Sequence, residues 1–242
     1  MSLYSLSLMA HSVDVHETHS RRVLTVFVML AAVVITLVMM NVVGIVFVSL
    51  GVPLWLVLII VPGSLIGSIF NIPLTTIVSD TAECTHQYVT LWGITYRVYP
   101  PDCPGRTHVS VNVGGAIIPV LVSLYLMASN LYLLAPTMVA VVIVALLVHQ
   151  VARIEPEVGI VTPALLPALI AGMSAVWIGN LVGALGGHYV IAYVAGTLGT
   201  LIGADLLNLD KLHQLKAGKA SIGGAGTWDG VFLTGIIAVF LV

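Results

Sequence analysis

Residues 23–50 read VLTVFVMLAAVVITLVMMNVVGIVFVSL, an apolar run that contains no charged side chain. About 20 apolar residues are enough for an α-helix to cross the roughly 30 Å of a bilayer's hydrocarbon core. The run is too long for the apolar core of a signal peptide, and no small-residue cleavage site follows it. It therefore predicts a first transmembrane helix that stays in the protein.

The composition extends this prediction to the whole chain. Of its 242 residues, 59% are hydrophobic and only 7% are charged, whereas about 25% of the residues of a soluble domain are charged. The net charge of -2 and the lack of a Lys/Arg run argue against nucleic acid as a partner. The lipid bilayer is the expected environment, and we predict an all-α polytopic membrane protein.

Further apolar runs of similar length predict about seven transmembrane helices. Several contain proline, which removes a helical hydrogen bond and kinks or ends a helix. The prolines are Pro62, Pro73, Pro119, Pro136, Pro163 and Pro167. The predicted spans are 23–50, 54–77, 109–128, 131–150, 163–185, 189–207 and 221–242.

The basic residues orient these spans. The short connections 51–53, 129–130 and 186–188 contain no Lys or Arg, and all eight basic residues lie in the segments of the opposite face. Cytoplasmic segments carry the Lys/Arg excess, so we expect a multi-pass protein of the cell membrane with its N-terminus inside and its C-terminus outside. The predicted organisation is a cytoplasmic tail, 1–22, and one transmembrane domain, 23–242, with a cytoplasmic loop at 79–108.

Two pairs of similar segments indicate a parallel internal repeat of spans two and three in spans six and seven. GSLIG at 63–67 resembles GTLIG at 199–203, and NVGGA at 112–116 resembles SIGGA at 221–225. Each pair occupies the same place in a hairpin of spans, as a parallel duplication requires. Chance similarity in a chain this rich in Gly, Leu and Ile is the alternative.

Two aspartates at the ends of apolar segments are the candidate catalytic residues. Asp205 lies two residues before the end of span six, and Asp229 follows a stretch that contains Gly223, Gly224 and Gly226. Glycine disfavours helix and admits positive φ, so we expect bent backbone there that can line a substrate path. Two carboxylates that share one proton can act as acid and base in peptide hydrolysis, without a cofactor.

This pattern resembles the intramembrane aspartyl proteases of the Gly-x-Gly-Asp type, such as presenilin, signal peptide peptidase and prepilin peptidase. The resemblance implies that Asp205 and Asp229 are the catalytic pair and that Gly224 and Gly226 are the motif glycines. It implies a membrane-embedded peptide as the substrate. In this chain Thr227 and Trp228 separate the second glycine from the aspartate, which directly follows it in those proteases.

The chain also resembles a family of prokaryotic, largely archaeal, multispan membrane proteins of unknown function, from about residue 24 to the end. The resemblance implies membership of that family and no particular activity. It rests on Asn71-Ile72-Pro73-Leu74, Asn112-Val113-Gly114-Gly115-Ala116 with Pro119, Gly203-Ala204-Asp205-Leu206-Leu207-Asn208-Leu209, and Ile222-Gly223-Gly224-Ala225-Gly226 with Asp229-Gly230.

Two other functions stay open at this point. In a cation- or proton-coupled transporter of small molecules, Asn71, Asn112, Asn180 and Asn208 would build a substrate site between the two repeats, and a symmetric homodimer would compensate for its small size. In a non-catalytic structural protein, Asp205 would solvate a helix end near Lys211 or His213, and Asp229 would favour a helix N-terminus. Asn71, Asn112 and Asn208 are also candidate substrate-binding residues of the hydrolase.

The 79–108 loop contains both cysteines. Cys84, His86, Cys103 and His108 are a weak candidate set of zinc ligands, and a Cys84–Cys103 disulfide or free thiols are the alternatives. Residues 88–99 alternate in the manner of a pair of hairpin strands at the membrane surface. This stretch would be an interfacial belt of Trp and Tyr or, in a protease, a strand that pairs with the substrate.

Overall fold

The computed structural model describes most of the chain and is mostly helical. The described residues are 3–78, 87–91, 94–98, 106–155, 159–163, 165–184, 186–214, 219–224 and 230–242. Within them are seven α-helices: α1 (Leu3–Ser49), α2 (Leu54–Gly67), α3 (Ile118–Ser129), α4 (Leu134–Val151), α5 (Leu166–Leu181), α6 (His188–Thr200) and α7 (Gly230–Phe240).

Three helical segments of the described chain are long and apolar enough to cross a bilayer. They are Val23–Ser49, Leu131–Val151 and His188–His213. The other apolar helices are shorter than the roughly 20 residues that a span needs. These segments indicate a membrane protein, whereas the arrangement of seven spans stays a prediction.

The chain is mostly helical, as predicted, but it also contains β-strands, so the fold is not all-α. β1 (Asn71–Val78), β4 (Arg106–Asn112) and β7 (Lys219–Ile222) form a sheet in the order β1-β4-β7. β1 pairs with β4 antiparallel, and β4 pairs with β7 parallel. Two antiparallel hairpins join β2 (Gln87–Leu91) to β3 (Ile94–Val98) and β5 (Arg153–Glu155) to β6 (Gly159–Val161).

The central sheet replaces parts of three predicted helices. Helix was expected over all of 54–77, but α2 ends at Gly67 and β1 begins at Asn71. Pro73 cannot donate to a helical hydrogen bond, and the β-branched residues that follow it favour a strand. The ladder shifts register between Pro73 and Thr75, as is typical beside a residue without an N–H. The predicted spans 109–128 and 221–242 likewise begin with strand residues of β4 and β7.

The other prolines disturb their helices less than expected. Pro62 lies inside α2. Pro167 is the second residue of α5, where the missing N–H has no helical partner to lose. Pro119 is the second residue of α3 and directly follows the π-helical turn Val113–Ile117. Pro136 is the third residue of α4. Most of these prolines therefore begin helices and do not break them.

The hairpin predicted within 88–99 is confirmed by the pairing of β2 with β3. Tyr88 is opposite Arg97, and Thr90 is opposite Thr95. The short connections at 51–53 and 129–130 are also present, since α1 ends at Ser49 and α3 ends at Ser129.

α6 is the central helix of the bundle. Val194, Ala195 and Tyr193 on it are fully buried. Its glycines allow close approach: a side chain at Gly196 would meet the backbone of α7, and one at Gly199 would meet Val144 of α4. This core holds the C-terminal end of α6, where Asp205 lies, in a fixed position.

The chain divides into two compact units, residues 1–45 and 46–242. α1 runs without a break through residue 22, where the cytoplasmic tail was predicted to end. In the first unit, the polar side chains of Thr36 and Asn41 donate to carbonyls one turn earlier in α1, at Ala32 and Leu37. All of the candidate site described below belongs to the second unit.

Candidate functional site

Asp205 lies at the end of a π-helical turn, Leu201–Asp205, that continues α6. Such turns are rare and frequently lie at functional sites. The side chain is half-buried, and its Oδ2 atom accepts a hydrogen bond of 2.8 Å from the backbone N–H of Gly223. A carboxylate at the end of an apolar helix is thus tied to a segment 18 residues further along the chain.

Gly223 and Gly224 form the bend to which Asp205 binds. They follow β7 and have φ values of 76° and 94°. Residues other than glycine rarely adopt these φ values. The prediction of bent backbone with positive φ is confirmed at both glycines. Any side chain at Gly223 would also overlap Ala116 of the neighbouring π-helical turn, Val113–Ile117.

Gly115 allows the bend at Gly223 and Gly224 to lie close to the π-helical turn Val113–Ile117. A Cβ atom at Gly115 would overlap the carbonyl oxygen of Gly223. The bend is therefore packed between Gly115 and Ala116 on one side and the carboxylate of Asp205 on the other. Its position depends on close contacts of backbone with backbone, which only glycine permits.

Asn208 lies behind the π-helical turn that ends at Asp205. Its buried Nδ2 donates to the carbonyl oxygens of Gly203, at 3.1 Å, and Ala204, at 2.9 Å. Its Oδ1 accepts a bond of 2.7 Å from Nζ of Lys211. We call Asp205, Asn208, Lys211 and Gly223 the Asp205 site. Within it, Asn208 binds backbone and a lysine, and its role as a substrate ligand stays a prediction.

A second polar group lies where the central sheet meets α2. Nδ2 of Asn112 donates to the carbonyl oxygen of Ser68 at 2.7 Å and to Oδ1 of Asn71 at 3.2 Å. Oδ1 of Asn112 accepts from the N–H of Gly115 at 2.7 Å, and Oγ of Ser64 donates to the carbonyl oxygen of Gly114 at 2.7 Å. We call Ser64, Ser68, Asn112, Gly114 and Gly115 the Asn112 site.

Ser221 connects the two sites. Its Oγ donates to Oδ1 of Asn71 at 2.7 Å, and Ser221 lies two residues before Gly223 on the same chain segment. The structure thus brings together Asn71 and Asn112, as the transporter hypothesis required, but it places Asn180 elsewhere, beside His188 at 3.3 Å.

Asp229 and Gly226 lie outside the described residues, so the predicted catalytic pair is not tested. Cys84, His86 and Cys103 lie outside them as well. Of the four weak zinc candidates, His108 is described, and its Nδ1 lies 3.0 Å from Oγ1 of Thr76. The described part of the chain contains no group of three or more side chains able to hold a metal ion.

Sequence reasoning missed three polar residues of these sites and of the link between them: Ser64, Ser68 and Ser221. Ser64 and Ser221 were quoted within the repeated motifs but were given no role, although a hydroxyl inside a glycine-rich apolar segment is a usable signal. The non-catalytic alternative gave Asp205 a nearby counter-ion, Lys211 or His213, whereas the structure shows that Lys211 donates to Asn208. Ser68 contributes its backbone carbonyl, which no side-chain pattern reveals.

Comparison with known proteins gives one family. A model described as a protein of unknown function (DUF1614) matches residues 65–241. The matched region contains the whole Asp205 site and all of the Asn112 site except Ser64. No curated protein and no solved structure matches the chain.

Proposed function

Since the chain belongs to the DUF1614 family, whose function is unknown, we propose from its own residues that it is an intramembrane aspartyl hydrolase. In this proposal, Asp205 and Asp229 cleave membrane-embedded peptides near the cytoplasmic face. The observation that carries the proposal is the hydrogen bond from the N–H of Gly223 to Oδ2 of Asp205.

This bond attaches the glycine-rich segment that leads to Asp229 to the other candidate aspartate. On the far side of 225–229, α7 begins at Gly230, and Val231 belongs to the same buried cluster as Leu201 and Ile222. Leu201 is the first residue of the π-helical turn that Asp205 ends. The described residues before and after Asp229 therefore both pack near this turn, which supports a meeting of the two carboxylates.

The proposed chemistry is general acid–base hydrolysis. One carboxylate takes a proton from water, and the resulting hydroxide equivalent attacks the peptide carbonyl carbon. The other, protonated carboxyl donates its proton to the carbonyl oxygen, which gives a gem-diol intermediate. The C–N bond then breaks as the nitrogen receives a proton from the first carboxyl and a hydroxyl of the gem-diol returns its proton to the second carboxylate. The products are an acid and an amine, and the pair is left with one shared proton.

The exposed aromatic residues support the proposed topology. Trp55, Tyr132 and Trp177 are 65%, 73% and 64% exposed. Trp55 and Tyr132 lie beside the short connections at 51–53 and 129–130, and Trp177 lies in the last turns of α5, before the connection at 186–188. Trp and Tyr are enriched at both membrane–water interfaces, so we infer that these connections lie at a membrane surface. The side on which Asp205 lies is inferred from the Lys and Arg residues of the opposite segments.

The proposal is tested with Asp205→Asn and Asp229→Asn in proteoliposomes that contain a panel of fluorogenic transmembrane peptides. Either substitution should abolish cleavage, because one carboxylate cannot act as both acid and base. Asp210→Asn is the matched control, since Asp210 is exposed in the same cytoplasmic segment, and it should cleave as the wild type does.

A hydroxyl-bearing peptide isostere, which mimics the tetrahedral intermediate, gives a second measurement that does not depend on finding the best substrate. It should protect the wild type from thermal unfolding and should not protect either Asn variant. Cleavage or protection that survives both substitutions would refute the hydrolase.

The parallel pairing of β4 with β7 favours a second candidate function, a cation- or proton-coupled transporter built from two parallel repeats. β4 and β7 are parallel neighbours, with His108 opposite Lys219 and Val111 opposite Ile222, and each strand leads toward a helix, α3 or α7. Parallel repeats are one of the architectures of transporters. A transporter would move protons or Na⁺ into vesicles that contain an ion-sensitive dye, and Asp205→Asn would stop that flux. The wild-type transporter would cleave no peptide.

A further inference from the structure

We propose that Asn208 and Lys211 are positioning residues that orient the carboxylate of Asp205. The proposal rests on the function of Asp205 given above. It assigns Asn208 a role different from substrate binding, and it assigns Lys211 a role other than that of a counter-ion.

The first step concerns the backbone around Asp205. The chain changes here from a π-helical turn, Leu201–Asp205, to a 3₁₀-helix, Leu206–Gln214. The N–H of Leu206 is shared between the carbonyl oxygens of Leu201 and Ile202. A change of helix type interrupts the regular series of i→i+4 hydrogen bonds, so nearby carbonyls need other donors.

Asn208 supplies a hydrogen-bond donor to the peptide group that precedes Asp205. Its Nδ2 binds the carbonyl oxygen of Ala204 at 2.9 Å, and this carbonyl belongs to the peptide group whose nitrogen is that of Asp205. The same Nδ2 binds the carbonyl oxygen of Gly203 at 3.1 Å. The amide of Asn208 therefore fixes the peptide plane from which the Asp205 side chain projects.

Lys211 fixes the amide in turn. Asn208 is only 1% exposed, and an amide in such a place could rotate by 180° and exchange its donor and acceptor atoms. The 2.7 Å bond from Nζ of Lys211 requires the oxygen of Asn208 to face the lysine, which directs the NH₂ group at the two carbonyls. A bond from a charged donor is roughly twice as strong as a neutral one.

Asp205 is thus held at both ends. Asn208 holds its peptide group, and the N–H of Gly223 holds its Oδ2 atom at 2.8 Å. If the first anchor is lost, the peptide plane can rotate and the bond to Gly223 should weaken. The exchange of the Gly223 amide hydrogen with deuterium reports this weakening without any assay of activity.

The experiment measures hydrogen exchange over residues 219–224 in the full-length protein in nanodiscs. Asn208→Leu has a similar volume and no donor, and it should accelerate exchange there by about tenfold, toward the value of Asp205→Ala. Asn130→Leu is the matched control, because Nδ2 of Asn130 also binds a helix carbonyl, that of Leu126 at 2.9 Å, far along the chain from Asp205. It should leave exchange at 219–224 unchanged.

The lysine is tested by the removal and the restoration of its charge. Lys211→Met should accelerate amide hydrogen exchange over residues 219–224 by about threefold. Lys211→Arg should keep the wild-type exchange rate, because the guanidinium also donates a hydrogen bond. Lys219→Met removes an exposed charge of β7 and serves as the control. In the cleavage assay, both Asn208→Leu and Lys211→Met should lower kcat and leave KM nearly unchanged, since they displace an acid–base group and not the substrate.

The outcomes separate this proposal from the hydrolase itself. Wild-type exchange at 219–224 in both Asn208→Leu and Lys211→Met would overturn the positioning role, even if Asp205→Asn abolishes cleavage. Faster exchange in both variants, together with full cleavage by Asp205→Asn, would leave the coupling intact and refute the hydrolase. A lower unfolding temperature with unchanged exchange would show that Asn208 only stabilises the segment.

Discussion

The Asn112 site and the Asp205 site solve the same structural problem with different chemistry. In each, a side-chain oxygen accepts a hydrogen bond from the N–H of a glycine, Gly115 at 2.7 Å and Gly223 at 2.8 Å. Each also lies beside a π-helical turn. The acceptor is a neutral amide in the first site and a carboxylic acid side chain in the second.

The contrast between the amide of Asn112 and the carboxyl of Asp205 indicates whether the fold itself requires an acidic group. The Asn112 site shows that an amide is sufficient to hold a glycine-rich bend in an apolar protein. A carboxylate at membrane depth costs a few kcal/mol more than a neutral group. The bend alone therefore does not require an acidic group at position 205, whereas the acid–base role proposed for Asp205 does.

The comparison of the two sites assumes that the backbone at Gly114 must lie close to the backbone of α2. Gly114→Ala tests this assumption and has the largest expected effect. A Cβ atom at Gly114 would overlap the backbone of Ser64 and Ser68. The α2 end or the π-helical turn would have to move, so we expect the free energy of unfolding to fall by about 3 kcal/mol or more. Steric-trap unfolding measures this quantity in a bilayer mimic.

Gly230→Ala is the control for that substitution. A Cβ atom at Gly230, the first residue of α7, has no neighbour within 4 Å. Alanine is the better helix former, so its effect should be within about 1 kcal/mol of zero. Equal effects at Gly114 and Gly230 would contradict the close packing at the Asn112 site.

Asn112→Asp makes the neutral site acidic and should be the next most damaging change. Nδ2 of Asn112 donates to Ser68 and Asn71, and a carboxylate oxygen there would face two acceptors. The position is buried, so we expect a loss of about 2–4 kcal/mol in the free energy of unfolding. A loss that disappears at low pH, where the carboxyl is protonated, would identify the charge as its cause.

Asp205→Asn makes the acidic site neutral and should have a much smaller effect on stability. The new Oδ1 atom can still accept from the N–H of Gly223. We expect the free energy of unfolding to change by no more than about 1 kcal/mol, although the proposed cleavage activity should be lost. If this variant unfolds as readily as Asn112→Asp, the acidic group is structural and the contrast between the sites has no functional meaning.

The apolar runs and the glycines were the parts of the fold that sequence could reveal. Runs such as 23–50 have the length of a span, and Gly223 and Gly224 adopt the positive φ that their residue type admits. The central sheet could not be read in the same way. β1 follows the apolar run of α2 after only three residues, and a short apolar run fits either helix or strand by periodicity.

The geometry of the candidate site could be predicted only in part, because it too depends on contacts between residues far apart in the sequence. Pairing of β4 with β7 joins Ser110 to Ser221, far apart in the sequence, and this pairing places the glycine bend beside Asp205. Contacts at such separation depend on how α6 packs, and no local pattern records them. The residue types of the site were recognisable, whereas Ser221 acquires its role only through the fold, since its partner Asn71 lies 150 residues earlier.

The smallest expected effect concerns the link between the two sites. Ser221→Ala removes the bond of 2.7 Å to Oδ1 of Asn71, but that oxygen keeps the bond from Asn112, so we expect a loss of about 0.5–1 kcal/mol in the free energy of unfolding. Ser110→Ala, which removes a longer bond of 3.3 Å to Ala220, is the matched control and should cost less. In a double-mutant cycle with Asp205→Asn, the coupling energy should stay below about 0.5 kcal/mol if the neutral site folds independently of the acidic one. A larger coupling would mean that Ser221 transmits the state of the Asp205 carboxyl to Asn71 and Asn112, and the two sites would then have to be treated as one polar network.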